Sequence, residues 1–573
     1  MHQFLHIFFS RGEVLRELFF LGCLVFAWFV PRFADRVFRS IEGVGSRLAE
    51  RKLVAIFSIA MATIVIRLSL LWLIPVPYPQ IHDEFSYLLA GDTFAHGRLT
   101  NPPHPMWLFF DTIHVNQHPT YMSKYPPAQG AVLALGQLLG NPWIGVLLSG
   151  GAMCGASLWM LQGWLPPKWA LLGATLVMLK VGIFSYWMNS YFGAFVSALG
   201  GALVAGALPR ILHSWRARDV VILGVGVVIL VNSRPFEAAF SCLPVFVVLL
   251  VRLWRHGSPV WRVALPRIVV PLCAIGILCG GLMAYYNWRG TGNAVVFPYA
   301  VNEKTYFSTP TFSWQKMGPP LHYTNPQLEE FYNVAMRQYW LQSGVSSWSK
   351  GFSKAAYIVL ISVFFFLWPQ LVVSLLALFR VLRDRRVRFL VVQTALVFSS
   401  FLLVRARFNP HYTGPVVGGV FALVTQGMRH VRHWESWGRP VGIGITRVVV
   451  LFTALLAPFN LDNKTRFAQP DPIQFRAEFT NQLDLTPGKH LVIVHYSPQH
   501  NVFREWVYNG ADIDGSKVVW AREIPGVSLQ PLLDYFRGRQ VWLAEPDASP
   551  PRLSRYESRV PPQGVVPAAR SQG

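Results

Sequence analysis

Residues 53–84 read LVAIFSIAMATIVIRLSLLWLIPVPYPQIHDE, and the rest of the chain is understood from this stretch. The apolar run from Leu53 to about Ile74 is long enough to cross a bilayer once, and Pro75, Pro77 and Pro79 mark its exit. A few residues later His82-Asp83-Glu84 opens a long loop, followed by the amphipathic run Phe85-Ser86-Tyr87-Leu88-Leu89-Ala90. Adjacent carboxylates just beyond a bilayer contribute little to stability. They are well placed to take a proton from an acceptor, or to hold a metal, where a lipid-borne substrate presents its head group. Asp83 also suits the start of the following helix, where a carboxylate caps free N–H groups. The two roles are compatible, because a cap also fixes the carboxylate.

The composition fits a polytopic membrane protein. Of 573 residues 53% are hydrophobic and only 14% charged, and apolar runs of spanning length recur along the chain. The net charge of +23 does not point to nucleic acid. Arginines fall in short loops between apolar runs, as in Arg380, Arg383, Arg385, Arg386 and Arg388, which is the positive-inside pattern. The segment 32–52, with Arg36, Arg39, Arg47 and Arg51, is therefore expected in the cytoplasm, and the span at 53–75 runs outward. Further spans are expected at 143–163, 169–186, 192–209, 220–233, 236–253, 268–286, 355–379, 389–404, 412–428 and 441–458. That makes about eleven, or twelve if the helix at 14–30 also spans rather than lying in the interface. Loops 76–127 and 287–354 are then extracytoplasmic.

Three regions follow: a membrane-associated helix with a basic segment (1–52), a transmembrane core (53–458), and an extracytoplasmic α/β domain (459–573). The last is read from strand-like runs at 490–496, 517–521 and 540–544, a helical pattern from Leu529 to Phe536, and a Pro-rich, disordered tail from about Pro550. The five cysteines fall in or near apolar segments, so disulfides and thiolate zinc sites are not expected. Asn463-Lys464-Thr465 matches a glycosylation sequon by pattern alone.

Asp83-Glu84 at the head of the first outer loop, then an amphipathic helix, then Tyr125-Pro126-Pro127 leading into further helices, resemble the lipid-dependent membrane glycosyltransferases of the GT-C class. Protein O-mannosyltransferases and the lipid A aminoarabinose transferases are the most similar members. The resemblance covers the organisation of residues 53–458. It implies a GT-C-like helical fold of about 11–12 membrane helices, a sugar donor on polyprenyl phosphate, and Asp83 as base towards the acceptor. A second acid at the outer turn between the third and fourth spans is missing here, since that turn reads Trp187-Met188-Asn189-Ser190-Tyr191. Nor is 287–354 long enough for a β-trefoil insertion. The acceptor is accordingly left open among glycan, lipid and protein.

Such a transfer needs a base, an in-line acceptor and a clamp for the leaving phosphate. Asp83 and Glu84 are the catalytic candidates, Glu84 serving equally well as a first-turn helix charge. Outer-side cations are candidates for the phosphate: Arg234, Lys180, Arg405, Arg407 and Lys124. Arg234 has an alternative in an ion pair with Glu237, Lys180 in snorkelling to the interface, and Lys124 in solvation. His82, Tyr125, Glu237, His411 and Tyr412 complete the set as substrate contacts. No cofactor is assigned. A divalent cation on Asp83 and Glu84 stays open, whereas His114 and His118 are not expected to bind metal, because Pro119 favours an irregular loop over a helical i, i+4 pair. The partners expected are the lipid-linked donor, the acceptor and the bilayer, at a bacterial inner membrane. The rival reading is a transporter or flippase, for which the charge of Arg67 inside the first span speaks.

Overall fold

The computed structural model describes residues 11–343, 348–405, 407–460 and 472–557. The sequon at Asn463 lies outside them, as does everything beyond 557. Among the described residues six helices are long and apolar enough to cross a membrane: Lys52–Ser69, Pro142–Trp164, Ala194–Ser214, Pro235–Arg255, Leu265–Thr291 and Ser349–Leu367. Shorter apolar helices, Arg388–Ser400 and Val441–Leu456, stand beside them. The N-terminal helix Arg11–Phe29 packs into this bundle, its buried Phe20 against Phe452 and Trp368 with ring centroids 4.7 and 5.5 Å apart.

Several expected spans are interrupted. The run at 355–379 is two helices, because Trp368 turns extended (ψ 128°) before Pro369, and helix resumes only at Leu371–Arg383. Proline lacks the N–H and disfavours helical geometry in its predecessor, so an apolar composition alone cannot carry a helix through it. The run at 169–186 is α-helical only over Pro167–Val177 and then widens into a π-turn, Met178–Ile183, that holds Lys180. The run at 412–428 starts as the 3₁₀ turn Pro410–Val416 before the helix Val417–Arg432.

The two ends of the bundle differ in kind. At one end charged side chains from the short basic loops meet, Arg432 with Glu42 at 2.7 Å and His430 with Asp384 at 3.1 Å. At the other end lie the first loop, the 287–343 segment and the C-terminal domain. That domain is a four-stranded sheet of order β4-β3-β5-β6, with β3 (His490–Val494) parallel to both β4 (Val518–Arg522) and β5 (Gln540–Glu545). The strand β6 (Arg552–Arg555) pairs antiparallel with β5, so the disorder expected from Pro550 does not begin there. A helix missed in the sequence, Pro472–Leu485, also belongs to the domain.

The domain and the first loop share one apolar core. Phe85, Leu89, Phe109 and Phe110 of the loop are buried together with Trp506, Trp520 and Val492 of the domain. Arg476 donates to the carbonyls of Trp506 and Tyr508 at 2.7 and 2.8 Å and lies over the rings of Phe85 and Trp520. Asp92 accepts from the Ala511 backbone and from Gln137, each at 2.6 Å, tying domain, loop helix and the next helix together.

Candidate active site

The site is organised by one turn of the loop helix His82–Ala95, where successive side chains are separated by about 100° and reach four different partners. His82 faces the His114 ring, at a centroid distance of 4.7 Å. Asp83 accepts from the hydroxyl of Tyr125 through Oδ1. Glu84 is buried, and its two oxygens accept the backbone N–H groups of Gln80 and Tyr191 at 3.2 and 3.0 Å. Phe85 stacks on Tyr508 of the C-terminal domain at 4.4 Å.

The helix is pinned on its other faces. A Cβ on Gly91 would come within 2.8 Å of Leu133, and one on Gly130 within 2.7 Å of Ala90, so only glycine allows the loop helix to lie this close to Pro127–Leu138. Ser86 donates to the His114 carbonyl at 2.7 Å and meets Ser123 at 2.8 Å. This anchors the small hairpin of β1 (Val115–Asn116) and β2 (Met122–Ser123), whose open end carries His114 and Lys124-Tyr125 side by side, the Lys124 N–H donating to the His114 carbonyl at 3.3 Å.

The cap expected of Asp83 needs correction, while Glu84 lies in the first helical turn, the alternative given for it. Asp83 does not cap the helix: Ile81 occupies the cap position without a side-chain bond, and Asp83 lies inside the first turn. Glu84 is committed to two amides, which binds the loop to the 184–193 turn; burial nevertheless pushes its carboxyl up to about 7. Helical spacing accounts for the difference, since one step along the helix turns a side chain from the site into the protein.

Around Asp83 the structure gathers Tyr87, Tyr125, Lys124, Arg234 and Tyr412. Tyr87, one turn on from Asp83, stacks on Tyr125 at 4.3 Å. Lys124 is buried, its ammonium 5.0 Å from the ring centres of Tyr299 and Phe307 and 5.3 Å from that of Tyr125. Burial pushes this amine down to about 8, against the opposing pull of Asp83 and Glu303. Arg234 lies 4.6 Å over the Tyr412 ring, with Glu237 at 3.9 Å, too long for a close ion pair. Burial pushes the Tyr125 hydroxyl well above its ordinary range, and the Asp83 charge adds to this, so Tyr125 stays a donor. Tyr87 and Tyr299 were not foreseen. The i, i+4 spacing of Asp83 and Tyr87 was the signal available for the first; nothing in the sequence links Tyr299 to Asp83.

Of the remaining candidates His411 adjoins this group, its ring centroid 4.5 Å from that of Tyr412. The Arg405 guanidinium donates to the carbonyls of Trp340 and Ser313 at 3.3 and 3.1 Å and covers the Trp340 ring at 3.6 Å. Arg407 hydrogen-bonds Tyr357. His411 pairs with the Tyr186 hydroxyl at 2.8 Å and stacks on Phe192 at 4.6 Å. Lys180 is buried in its π-turn, and no hydrogen bond or ion pair joins it to Asp83 among the described residues. Arg67 sits in the last turn of Lys52–Ser69, not at mid-span. It donates to Ile74 O, Pro75 O and Asn189 Oδ1 at 3.0, 3.3 and 3.0 Å, so its charge satisfies the chain ends beneath the site.

Two further features adjoin the group. His82, Asp83 and His114 each offer a ligand atom within 4.8 Å of the others, a donor set that includes neither Glu84 nor His118. A cavity of about 220 Å³ opens between the first loop and the 305–328 segment, lined by Trp107, Asp111, Gln117, Tyr306, Tyr323 and Asn325 among others. Burial pushes the Asp111 carboxyl up to about 6 although Tyr306 donates to it at 2.6 Å.

No protein-family model matches the chain, and no curated protein matches it. Three solved structures show the kind of likeness it has. ArnT from Cupriavidus metallidurans, bound to undecaprenyl phosphate, aligns with 86% of this chain and 92% of its own at 13% identity and a TM-score of 0.45. The oligosaccharyltransferase AglB from Archaeoglobus fulgidus, in complex with an inhibitory peptide and a dolichol-phosphate, aligns with 78% of this chain at 11% identity and a TM-score of 0.43. The chain spans only 62% of that protein's length. The mycobacterial arabinofuranosyltransferase AftD aligns with 80% of this chain and 34% of its own, at 13% identity and a TM-score of 0.35. The structures to which this chain is similar are membrane glycosyltransferases of the GT-C class, the class that its first-loop residues resemble.

Proposed function

We propose that this protein transfers a sugar from a polyprenyl phosphate to an acceptor hydroxyl on the extracytoplasmic face of a bacterial inner membrane, with Asp83 as base. The observation that carries this reading is a part-exposed carboxylate bonded to Tyr125, a tyrosine that also neighbours Lys124 and Arg234. Asp83 has its Oδ1 fixed by Tyr125 and its Oδ2 left for a substrate, while Lys124 and Arg234 lie within electrostatic reach of the same tyrosines. In the step proposed, the acceptor hydroxyl gives its proton to Oδ2 and its oxygen bonds to the anomeric carbon. The bond from that carbon to the phosphate oxygen breaks, and polyprenyl phosphate leaves with the electron pair, its charge met by Arg234 and Lys124. A single base acting in line inverts the anomeric centre.

Transport would call for a charged path through the bundle. Arg67, the charge that favoured it, is bonded to Ile74, Pro75 and Asn189 at the Asp83 end of the molecule. The test is incubation of the purified protein with a panel of polyprenyl-phosphate sugars and candidate acceptors, following release of polyprenyl phosphate. Release with transfer supports the reading; vesicle uptake or flipping without release would replace it with transport.

A further inference from the structure

We propose that a cavity between the helices Leu371–Arg383 and Val417–Arg432 binds the head group of one anionic glycerophospholipid, with the lipid phosphate on Arg380 and the acyl chains along the outer face of Leu371–Arg383. The site lies at the basic end of the bundle, away from Asp83, and does not depend on the reaction proposed above.

The cavity measures about 200 Å³, well above the ~30 Å³ share of a single water. Leu376, Ala377 and Arg380 line one side, and His430, Val431 and Trp434 the other. Each trio is spaced i, i+1, i+4, the face of one helical turn, although Trp434 falls just past the end of its helix. Ala377 and Val431 are buried at the back. Leu375, Leu376, Phe379 and Leu382 are exposed and continue the apolar wall out towards the bilayer. One side chain of the first trio is therefore cationic, and everything leading up to it is hydrocarbon.

The charges favour an anion. Among the described residues Arg380 has no hydrogen bond or ion pair. Asp384, the carboxylate bonded to His430, is already engaged: it accepts from Gln426 and His430 at 2.5 and 3.1 Å and from the Arg386 backbone N–H at 2.9 Å. Arg383, Arg385 and Arg386 follow in the chain and add positive potential. A guanidinium beside hydrocarbon is costly without a partner, and its fork matches two oxygens of a phosphodiester. The depth is right as well. Trp434 meets Trp28 at 5.4 Å and Trp28 meets Trp437 at 6.5 Å, and indoles gather where a bilayer meets water. A free phosphate would leave the apolar wall unused, and a zwitterionic head group would bring its own cation against Arg380. Basic pockets between membrane helices suit anionic head groups for these reasons. The lipid would also brace Leu371–Arg383, which the break at Trp368-Pro369 leaves as a short, separate helix.

The test titrates delipidated, detergent-purified full-length protein with phosphatidylglycerol and, separately, with phosphatidylcholine, counting retained lipid by native mass spectrometry. One tightly held phosphatidylglycerol is expected, together with a rise in melting temperature, and clearly weaker retention of phosphatidylcholine. Arg380→Gln should weaken phosphatidylglycerol about tenfold or more, the equivalent of one charge-assisted hydrogen bond, and cancel the rise in melting temperature. Arg385→Gln removes the same charge from the same basic segment but outside the cavity, and should leave the affinity nearly unchanged. Equal retention of the two lipids overturns the site, as does an equal loss in the two variants, which would reduce it to diffuse attraction by the basic loop. Displacement of the lipid by millimolar inorganic phosphate would overturn the assignment to a lipid. Should Arg380→Gln fail to fold, the comparison of the two lipids on the wild type still decides.

Discussion

The backbone N–H of Tyr191 donates to the carboxylate of Glu84 at 3.0 Å, joining the first loop to the turn between two membrane helices. The residue beside the proposed base thus serves to hold it in place. Glu84→Ala leaves the buried amide of Tyr191 without a partner, at a cost of about 1–3 kcal/mol, and frees the part-buried amide of Gln80. The melting temperature should fall, and turnover with it. Glu84→Gln keeps one acceptor oxygen and should lie between the two. Thermal unfolding and turnover measured on both variants check this; an Ala variant with normal stability and lost turnover would return Glu84 to the chemistry.

Arg234 should act on the donor. Its guanidinium fork can hold two phosphate oxygens, which the single ammonium of a lysine cannot match. Arg234→Lys should raise the donor KM, and Arg234→Ala should raise it about tenfold or more, the equivalent of one charge-assisted hydrogen bond. The 3.9 Å separation from Glu237 predicts that Glu237→Ala leaves donor KM nearly unchanged. Donor titrations beside melting temperatures separate this from a purely structural pair, in which both alanine variants would lose stability alike and keep their affinity for donor.

Asp111 should make stability depend on pH. Burial raises its carboxyl to about 6 in the folded protein, above its value in the unfolded chain. Between the two values the folded state holds the proton and the unfolded state does not. This contribution is therefore full below about pH 4 and is lost as pH rises through about 6. Asp111→Asn keeps the shape and removes the titration. The melting temperature of the variant relative to wild type should climb between pH 4 and 7, by an amount equivalent to about 2–3 kcal/mol at most. A constant difference across that range would contradict it.

The shared core of the first loop and the C-terminal domain requires both to lie on one side of the membrane. Single cysteines at the exposed positions Leu485 and Asn293 should react together with an impermeant thiol reagent, while one at Arg385 should be protected until the membrane is opened. Labelling Leu485→Cys and Arg385→Cys from the same side would refute the topology.

The sequence was most readable where one physical signal acted alone. Apolar length marked Lys52–Ser69, and short β-branched runs marked three of the domain's four strands. It was least readable where two signals overlapped. Trp368-Pro369 lies within an apolar run, and hydropathy concealed a break that the proline announces. Lys180, Arg405 and Arg407 stood out as rare outer-side cations, but which carbonyl or hydroxyl folds back onto a cation is a tertiary fact; Arg405 is held by Trp340 and Ser313. The contact of Asp83 with Tyr125 was not foreseen, since the sequence linked the two only as successive motifs of a resemblance. The approach of His114 depends on a hairpin two residues long, too short to leave a period in the sequence.

Everything in the functional account turns on Asp83 Oδ2 as proton acceptor. Asp83→Asn keeps the size of the side chain and an oxygen for Tyr125, so folding should survive and the melting temperature should stay near that of wild type. With the base removed, kcat for release of polyprenyl phosphate should fall by about 10²–10⁴-fold with the donor KM little changed. A purified Asp83→Asn protein that turns over at close to the wild-type rate would contradict the account.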